Sequence, residues 1–413
     1  MTEPSVAFFS MLEEGHFHRL RPLISGLAGQ GMAAHVFTDR RFEAEVERAG
    51  GTFVDLFGRY PLERADNESV PIPCRFVTYA AHYADEIVRD LEELGPSLVV
   101  YDTFAVIGHV AARALGLPYV NVCTGHNMDP ALSVPRLRHE YPRVEASQSC
   151  LRAVEKLRER YGVADASPLS YLSGLSPFLN VYCEPAAYLT EAERRAFEPI
   201  AFYGSLPPAR DKEAIAVSDS PFGDAASELK VYVSFGTIVW RYWAAEALEA
   251  LTSICQALGS MDGVRAVVSL GGADIGAERR RALSEPNVVV LPSVDQWAVL
   301  QEADVFVTHH GLNSTHEAIF HGVPMISYPF VFDQPALAEK CRSFGLAIPL
   351  TDAPLGRVTT GAVHAAFDEL ARRKGSIRAS IAEAREWELQ AIASRDGVHR
   401  RIAALASREA SSA

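Results

Sequence analysis

Short β-branched or aromatic runs alternating with longer stretches of helical spacing constrain this chain more than any other feature of its sequence. The first set is VAFFS (6–10), AAHVF (33–37), TFVDLF (52–57), LVVYD (98–102), YVNVC (119–123) and FLNVYC (178–183). The second is KVYVSFG (230–236), VRAVVSL (264–270), NVVVL (287–291), DVFVT (304–308) and PMISY (324–328). Such alternation is the βαβ rhythm of a parallel sheet covered by helices on both faces. Because the rhythm occurs twice, the expected fold class is α/β, with two Rossmann-like doubly wound parallel-sheet domains facing across a cleft.

At 413 residues the chain is too long for one ordinary core, and a hydrophobic content of 48% gives each half enough to bury. Between the two sets, Ser205 to Glu228 is rich in Pro, Asp, Ser and Ala and has little periodicity, as an interdomain linker does. The reading is therefore an N-terminal domain over 1–205, a linker over 206–228, a C-terminal domain over 229–376 and helices over 377–405 that contain Trp387. A disordered tail follows over 406–413.

A formal charge of −13 without a Lys/Arg cluster argues against nucleic-acid binding, whose affinity rests on phosphate neutralisation. Cys74, Cys123, Cys150, Cys183, Cys255 and Cys341 have neither metal-ligand nor redox spacing and read as buried free thiols. The N-terminus lacks the basic region and apolar core of a signal peptide, and no apolar run is long enough to span a bilayer. A cytoplasmic location without integral membrane contact is expected.

The segment Phe306 to Gln334, FVTHHGLNSTHEAIFHGVPMISYPFVFDQ, carries the sharpest chemistry. A buried strand runs into the turn His309-His310-Gly311, and a helix follows from Asn313 to Phe320. The first N–H groups of a helix lack intrahelical partners and the macrodipole makes that end electropositive, so a diphosphate can be bound there without a metal. Asn313 and Ser314 add donors. Glu317 shares a face with Asn313 and could accept from both hydroxyls of a ribose. Ser314 and Glu317 also have the Ser-x-x-Glu spacing of a capping box, which would satisfy the same amides internally.

The longer pattern Gln296, His309, Gly311, Asn313, Ser314, Glu317, Gly322, Pro324, Asp333 and Gln334 resembles the donor-binding signature of the family 1 glycosyltransferases, which have the GT-B fold. The resemblance implies that Gln296 and backbone near Val294 face the base, that Glu317 holds the ribose, and that Asp333 and Gln334 hold sugar hydroxyls. As plainer alternatives, either of the last two could cap the helix that begins at Pro335. Thr237, in the SFGT turn, would join His309, Gly311, Asn313 and Ser314 around the diphosphate, or be an ordinary turn residue. Two departures stand out. Ser293 falls where many relatives stack a Trp on the base, and His310 replaces the first glycine of His-Gly-Gly. The donor is left open between UDP- and dTDP-sugars.

The family carries a Gly-His pair and a proline-containing helix after its first strand, matching Gly15, His16 and Pro22. His18 is the rival base, but two residues on a helix point about 200° apart, so one of the two faces the cleft. Asp102 ends LVVYD, and both His16 and Asp102 lie at carboxyl ends of parallel strands, where open α/β sheets bind ligands. The resemblance implies a catalytic His16–Asp102 dyad; capping of the next helix is the plainer role for Asp102. Inverting glycosyl transfer follows, with no cofactor beyond the nucleotide sugar and, absent an Asp-x-Asp motif, no metal. The C-terminal helices of such proteins commonly cross back to the N-terminal domain.

The acceptor should be a small hydroxylated molecule. Phe57 to Tyr83 and Thr124 to Arg143 are irregular and Pro-interrupted, and offer Phe76, Tyr79, His82, Tyr83, His126, Asn127 and Met128 as contacts. Ile238 to Trp243, IVWRYW, is either a gate at the cleft edge or aromatic core. The chain would be a monomer or homodimer. Rival functions are a nucleotide-sugar epimerase and a noncatalytic partner protein of the same fold. A dehydrogenase is disfavoured because no Gly-x-Gly-x-x-Gly follows the first strand.

Overall fold

Apolar runs that bury both faces form the interior strands, and the computed structural model assembles them with their edge strands into two separate, wholly parallel sheets. It describes residues 4–62, 72–133, 135, 147–170, 174–205, 220–223 and 227–409. Met1–Pro208 together with Gln390–Ala413 makes one compact unit, and Ala209–Leu389 makes the other.

The first sheet contains β1 (Ser5–Phe9), β2 (Ala33–Thr38), β3 (Thr52–Asp55), β4 (Leu98–Asp102), β5 (Tyr119–Cys123), β6 (Leu179–Tyr182) and β7 (Ile200–Phe202), in the order β3-β2-β1-β4-β5-β6-β7. The second contains β8 (Leu229–Ser234), β9 (Val264–Ser269), β10 (Val288–Leu291), β11 (Val305–Thr308), β12 (Met325–Ser327) and β13 (Ala347–Pro349), in the order β10-β9-β8-β11-β12-β13. In each sheet the order reverses beside the first strand, between β1 and β4 and between β8 and β11. Crevices open at the carboxyl ends of such switch points. His16 follows β1 and Asp102 ends β4, while Thr237 follows β8 and His309 follows β11.

Helix α1 (Glu14–Ala28) buries Phe17, Leu20, Leu23, Ile24 and Leu27, the one-sided spacing of an amphipathic helix. Each such side chain contributes roughly 1.5–3 kcal/mol on burial. The other helices used below are α2 (Ile72–Leu94), α3 (Val106–Leu115), α4 (Gln148–Tyr161), α5 (Ala244–Gly259), α6 (Gln296–Glu302), α7 (Leu312–His321), α8 (Gln334–Ser343), α9 (Thr360–Ala393) and α10 (Arg395–Glu409). Helix α10 packs on α1, with His399 over Gly26; a Cβ at Gly26 would lie 2.1 Å from that ring. Tyr203 Oη and His399 Nε2 are 2.7 Å apart in the same contact.

Several boundaries differ from the sequence reading. The edge strands β7 and β13 were not anticipated. Most of the linker reading falls on 206–219 and 224–226, outside the described residues, but Phe222 is buried and Ser220 donates to Glu302 Oε2 at 2.7 Å. The end of that segment is thus packed within the second unit. Residues 377–389 also stay with that unit, and the part counted with the first begins at Gln390. Helix α10 runs to Glu409, so 406–409 of the expected tail is helical; 410–413 lies outside the described residues. All six cysteines are buried, and none forms a disulfide. Among the described residues, no helix is long and apolar enough to cross a membrane.

Candidate active site

Helix α1 begins after a short turn that leaves β1, which puts His16 in its first turn. His16 Nδ1 lies 3.0 Å from Asp102 Oδ1. The Asp102 side chain is 0% exposed and that of His16 is 17% exposed, so the carboxylate is internal while the imidazole reaches the surface. Asp102 Oδ1 also accepts from Phe104 N at 2.7 Å, and Oδ2 accepts from Met11 N at 3.2 Å. It does not cap α3, whose N-cap is Ala105 with no side-chain bond. His18 points elsewhere, 3.7 Å from Glu45 and 3.9 Å from Glu14. His18 beside it, and the bond from Arg21 at 2.7 Å, hold the Glu45 carboxyl down at about 2.

Residues that the sequence analysis did not connect with this pair brace it. Thr124 Oγ1 lies 2.9 Å from His16 Nδ1. Arg19, one turn after His16 and buried, donates to Thr124 O at 2.9 Å, so α1 holds the loop that touches its own histidine. Phe104 stacks on the His16 ring at 4.0 Å and Phe76 stacks on Phe104 at 5.1 Å. A buried ion pair, Arg75 to Glu13 at 2.7 Å, ties α2 to the turn before α1. Thr124 was findable in principle, since it directly follows β5, the neighbour of the strand that Asp102 ends.

The acceptor reading is corrected in part. From Ile72 the segment expected to be irregular is helix α2, and 63–71 lies outside the described residues. Phe76 and Tyr79 are core residues of that helix, at 0% and 1% exposure, and Tyr79 Oη donates to Tyr60 O at 2.9 Å. Tyr83 is partly exposed and donates to Pro61 O; exposed His82 packs edge-on against it at 4.5 Å. His126 is buried and paired with buried Glu184 at 2.8 Å, which makes it a strut of the loop. Asn127, at φ 42°, donates through Nδ2 to Glu193 at 2.8 Å. Met128 lines a small cavity with Thr103, Asn121, Cys123, Gly125, Leu175 and Phe197. In the second segment, 134 and 136–146 lie outside the described residues.

In the second unit the capping box does not form. The N-cap of α7 is Gly311 with no side-chain bond, and Ser314 and Glu317 are held from the side by Gln296. Gln296 Nε2 donates to Glu317 Oε2 at 2.8 Å, and Gln296 Oε1 accepts from Ser314 Oγ at 3.2 Å and from Tyr232 Oη at 3.5 Å. Asn313 and Glu317 are only half-buried. Beside the helix start, His309 is 7% exposed, and burial pushes its pKa down to about 4, against a backbone group of Ser234 that raises it. It is neutral at pH 7. Cβ atoms added at Gly236 or Gly311 would lie 2.6 and 2.5 Å from its ring, so both glycines leave room for the imidazole.

His310 stands at φ 60°, a left-handed conformation that suits glycine and costs most residues about 1 kcal/mol or more. Its side chain offsets this, with Nε2 2.7 Å from Ser327 Oγ and Nδ1 3.1 Å from Thr315 Oγ1. Thr237 is the N-cap residue of Ile238–Tyr242 and makes no side-chain capping bond. Val294 is half-buried and Ser293 exposed. Asp333 precedes α8 without capping it by its side chain. Gln334 is buried, and its Oε1 accepts from Phe330 N at 2.9 Å and Val331 N at 3.2 Å. That oxygen shapes the loop carrying Asp333. Trp240 is core, whereas Trp243 is partly exposed and meets Phe332 edge-on at 6.0 Å. Among the described residues, no group of three or more His, Cys, Asp and Glu converges as a metal site would.

Residues 222–374 match the family model described as UDP-glucoronosyl and UDP-glucosyl transferase. Among curated relatives, YdhE of Bacillus subtilis, an uncharacterized UDP-glucosyltransferase, is 24% identical over 345 residues, 81% of this chain and 83% of that protein. The oleandomycin glycosyltransferase of Streptomyces antibioticus is 25% identical over 398 residues, 92% of this chain and 88% of its own length. Of solved structures, the glycotransferase of kitacinnamycin superposes with a TM-score of 0.73 at 23% identity, over 97% of this chain and 100% of that one.

Proposed function

We propose that this chain, which belongs to the family 1 glycosyltransferases, moves a sugar with inversion from a UDP- or dTDP-sugar to a hydroxyl of a small acceptor, without a metal. The observation that carries the donor half is the first turn of α7: its N-cap residue, Gly311, brings no side-chain bond, and Gln296 holds Ser314 and Glu317 from the side. Amides at a helix start attract a diphosphate. Glu317 accepts from Gln296 Nε2, and a carboxylate offers several acceptor sites, which suits ribose hydroxyls. The relative acting on oleandomycin supports a natural-product-like acceptor.

In the acceptor half, Asp102 accepts from His16 Nδ1–H and leaves Nε2 as the basic nitrogen. The acceptor oxygen forms its bond to the anomeric carbon while its proton passes to Nε2. The bond from that carbon to the diphosphate oxygen breaks, and the nucleoside diphosphate departs with the electron pair. Asp102 stabilises the imidazolium so formed. Neutral His309, Asn313 and the α7 amides, that of Ser314 included, receive the growing charge of the leaving group.

The test is a mass-spectrometric screen of UDP- and dTDP-sugars against pooled aromatic and macrolide acceptors with EDTA present, comparing the native chain with His16→Ala. Acceptor mass gains that vanish in the variant are expected. Native protein that binds a nucleotide sugar but glycosylates nothing would defeat the transfer reading.

A further inference from the structure

Helix α7 turns Asn313 and Glu317 outward and buries Leu312, Thr315, His316 and Ile319. One of these buried positions is ionisable. His316 Nδ1 is hydrogen-bonded to Glu388 Oε1 on α9, and both side chains are 0% exposed. Among the described residues Glu388 Oε2 is buried without a hydrogen-bonding partner, so the carboxylate's hydrogen bonding there is spent on His316. One turn away, Arg385 on α9 lies 5.0 Å over the ring of Phe320 on α7.

A buried pair of this kind is weak as a source of stability, because desolvation offsets its attraction and apolar residues of similar volume often do as well. What it supplies is direction. Apolar contacts tolerate sliding and rotation, whereas a hydrogen bond at one azimuth of a helix fixes the rotation about its axis. Glu317 is the next residue, about 100° around that axis, and on its other flank it meets Gln296 at 2.8 Å.

We propose that His316 and Glu388 are positioning residues for the nucleoside diphosphate site: their bond sets the rotation of α7, and with it where Glu317 and Asn313 stand. This rests on the reading of α7 as the donor helix. The pair touches no reacting atom.

Calorimetric titration of the full chain with UDP and with TDP tests it, alongside melting temperatures. His316→Met/Glu388→Met should melt at or above the native temperature yet bind the better nucleotide on the order of tenfold more weakly, the scale of loss that small misplacements produce. Glu388→Gln, which can still accept from Nδ1–H, should bind like the native chain. Glu388→Asp keeps the charge, shortens the reach by one methylene and should weaken binding severalfold; it also serves if the double variant does not fold. Native affinity in either the folded double variant or Glu388→Asp would overturn the proposal. If the native chain binds neither UDP nor TDP, the donor-helix reading itself fails, and the positioning role falls with it.

Discussion

Thr124 places its hydroxyl 2.9 Å from His16 Nδ1, the same ring nitrogen that Asp102 Oδ1 meets at 3.0 Å. In the tautomer proposed above, with the proton on Nδ1, one N–H faces two oxygens, and the carboxylate is the stronger acceptor. Thr124 is then a lateral stop that keeps the ring from swinging about its bond to Asp102. Its backbone is fixed independently by Arg19. Thr124→Val should fold normally and lower kcat roughly fivefold, about one modest hydrogen bond. A kcat unchanged with the identified acceptor would remove Thr124 from the base's support.

Asp102 has a larger and mixed effect. It accepts from Met11 N and Phe104 N as well as from His16. In Asp102→Asn one oxygen must serve where two did, leaving a buried N–H unpaired at about 1–3 kcal/mol. The imidazolium also loses its counter-charge. Steady-state kinetics should show kcat lower by roughly 10²–10⁴, with a lower melting temperature. Full stability with full activity would refute the dyad.

Gly311→Ala and Gly236→Ala separate packing from backbone strain. Gly311 has φ −60°, open to any residue, whereas Gly236 has φ 71°. Both added methyls would press on the His309 ring, at 2.5 and 2.6 Å. At Gly311 the cost is therefore contact alone; at Gly236 left-handed strain of about 1 kcal/mol adds to it. Both should raise the donor KM, Gly236→Ala by more, and only Gly236→Ala should melt substantially lower. Equal KM values for both variants and the native chain would show that His309 can move aside freely.

The interior of both sheets was legible because a strand buried on both faces needs an unbroken apolar run, and LVVYD and YVNVC are strands end to end. Edge strands need no such run. Ile200–Phe202 and Ala347–Pro349 are three residues each, and their pairing comes from one neighbour already in place. The Ser314–Glu317 spacing illustrates a second limit. Local chemistry permits a capping box there, but Gln296, distant in sequence, competes for both side chains and takes them. Phe76, Tyr79 and His126 mark a third, since residue type does not reveal which aromatic groups the core takes. Likewise, nothing local in the sequence pairs His316 with Glu388.

Buried neutral histidines should make this protein acid-sensitive. Burial holds His109 and His309 down at about 4 and His310 at about 3, against an ordinary value of 6.5. The unfolded chain takes up protons at these positions as the pH falls through 6.5, while the folded chain does not until near 4. The unfolded state binds more protons in that window, so stability is full above about 6.5 and declines toward 4, by up to roughly 1.4 kcal/mol per pH unit for each histidine. Glu45, held at about 2, adds the same sign of dependence below its ordinary range. His109 isolates one contribution: its ring packs against Tyr101 at 5.5 Å and Tyr119 at 5.3 Å, and its Nε2 has no hydrogen-bonding partner among the described residues. His109→Phe keeps an aromatic ring there and removes the titrating group. Urea unfolding between pH 7 and 4.5 should show a falling native stability, and a slope shallower by about one proton in the variant. Equal slopes would mean that the folded chain already protonates His109 within that range.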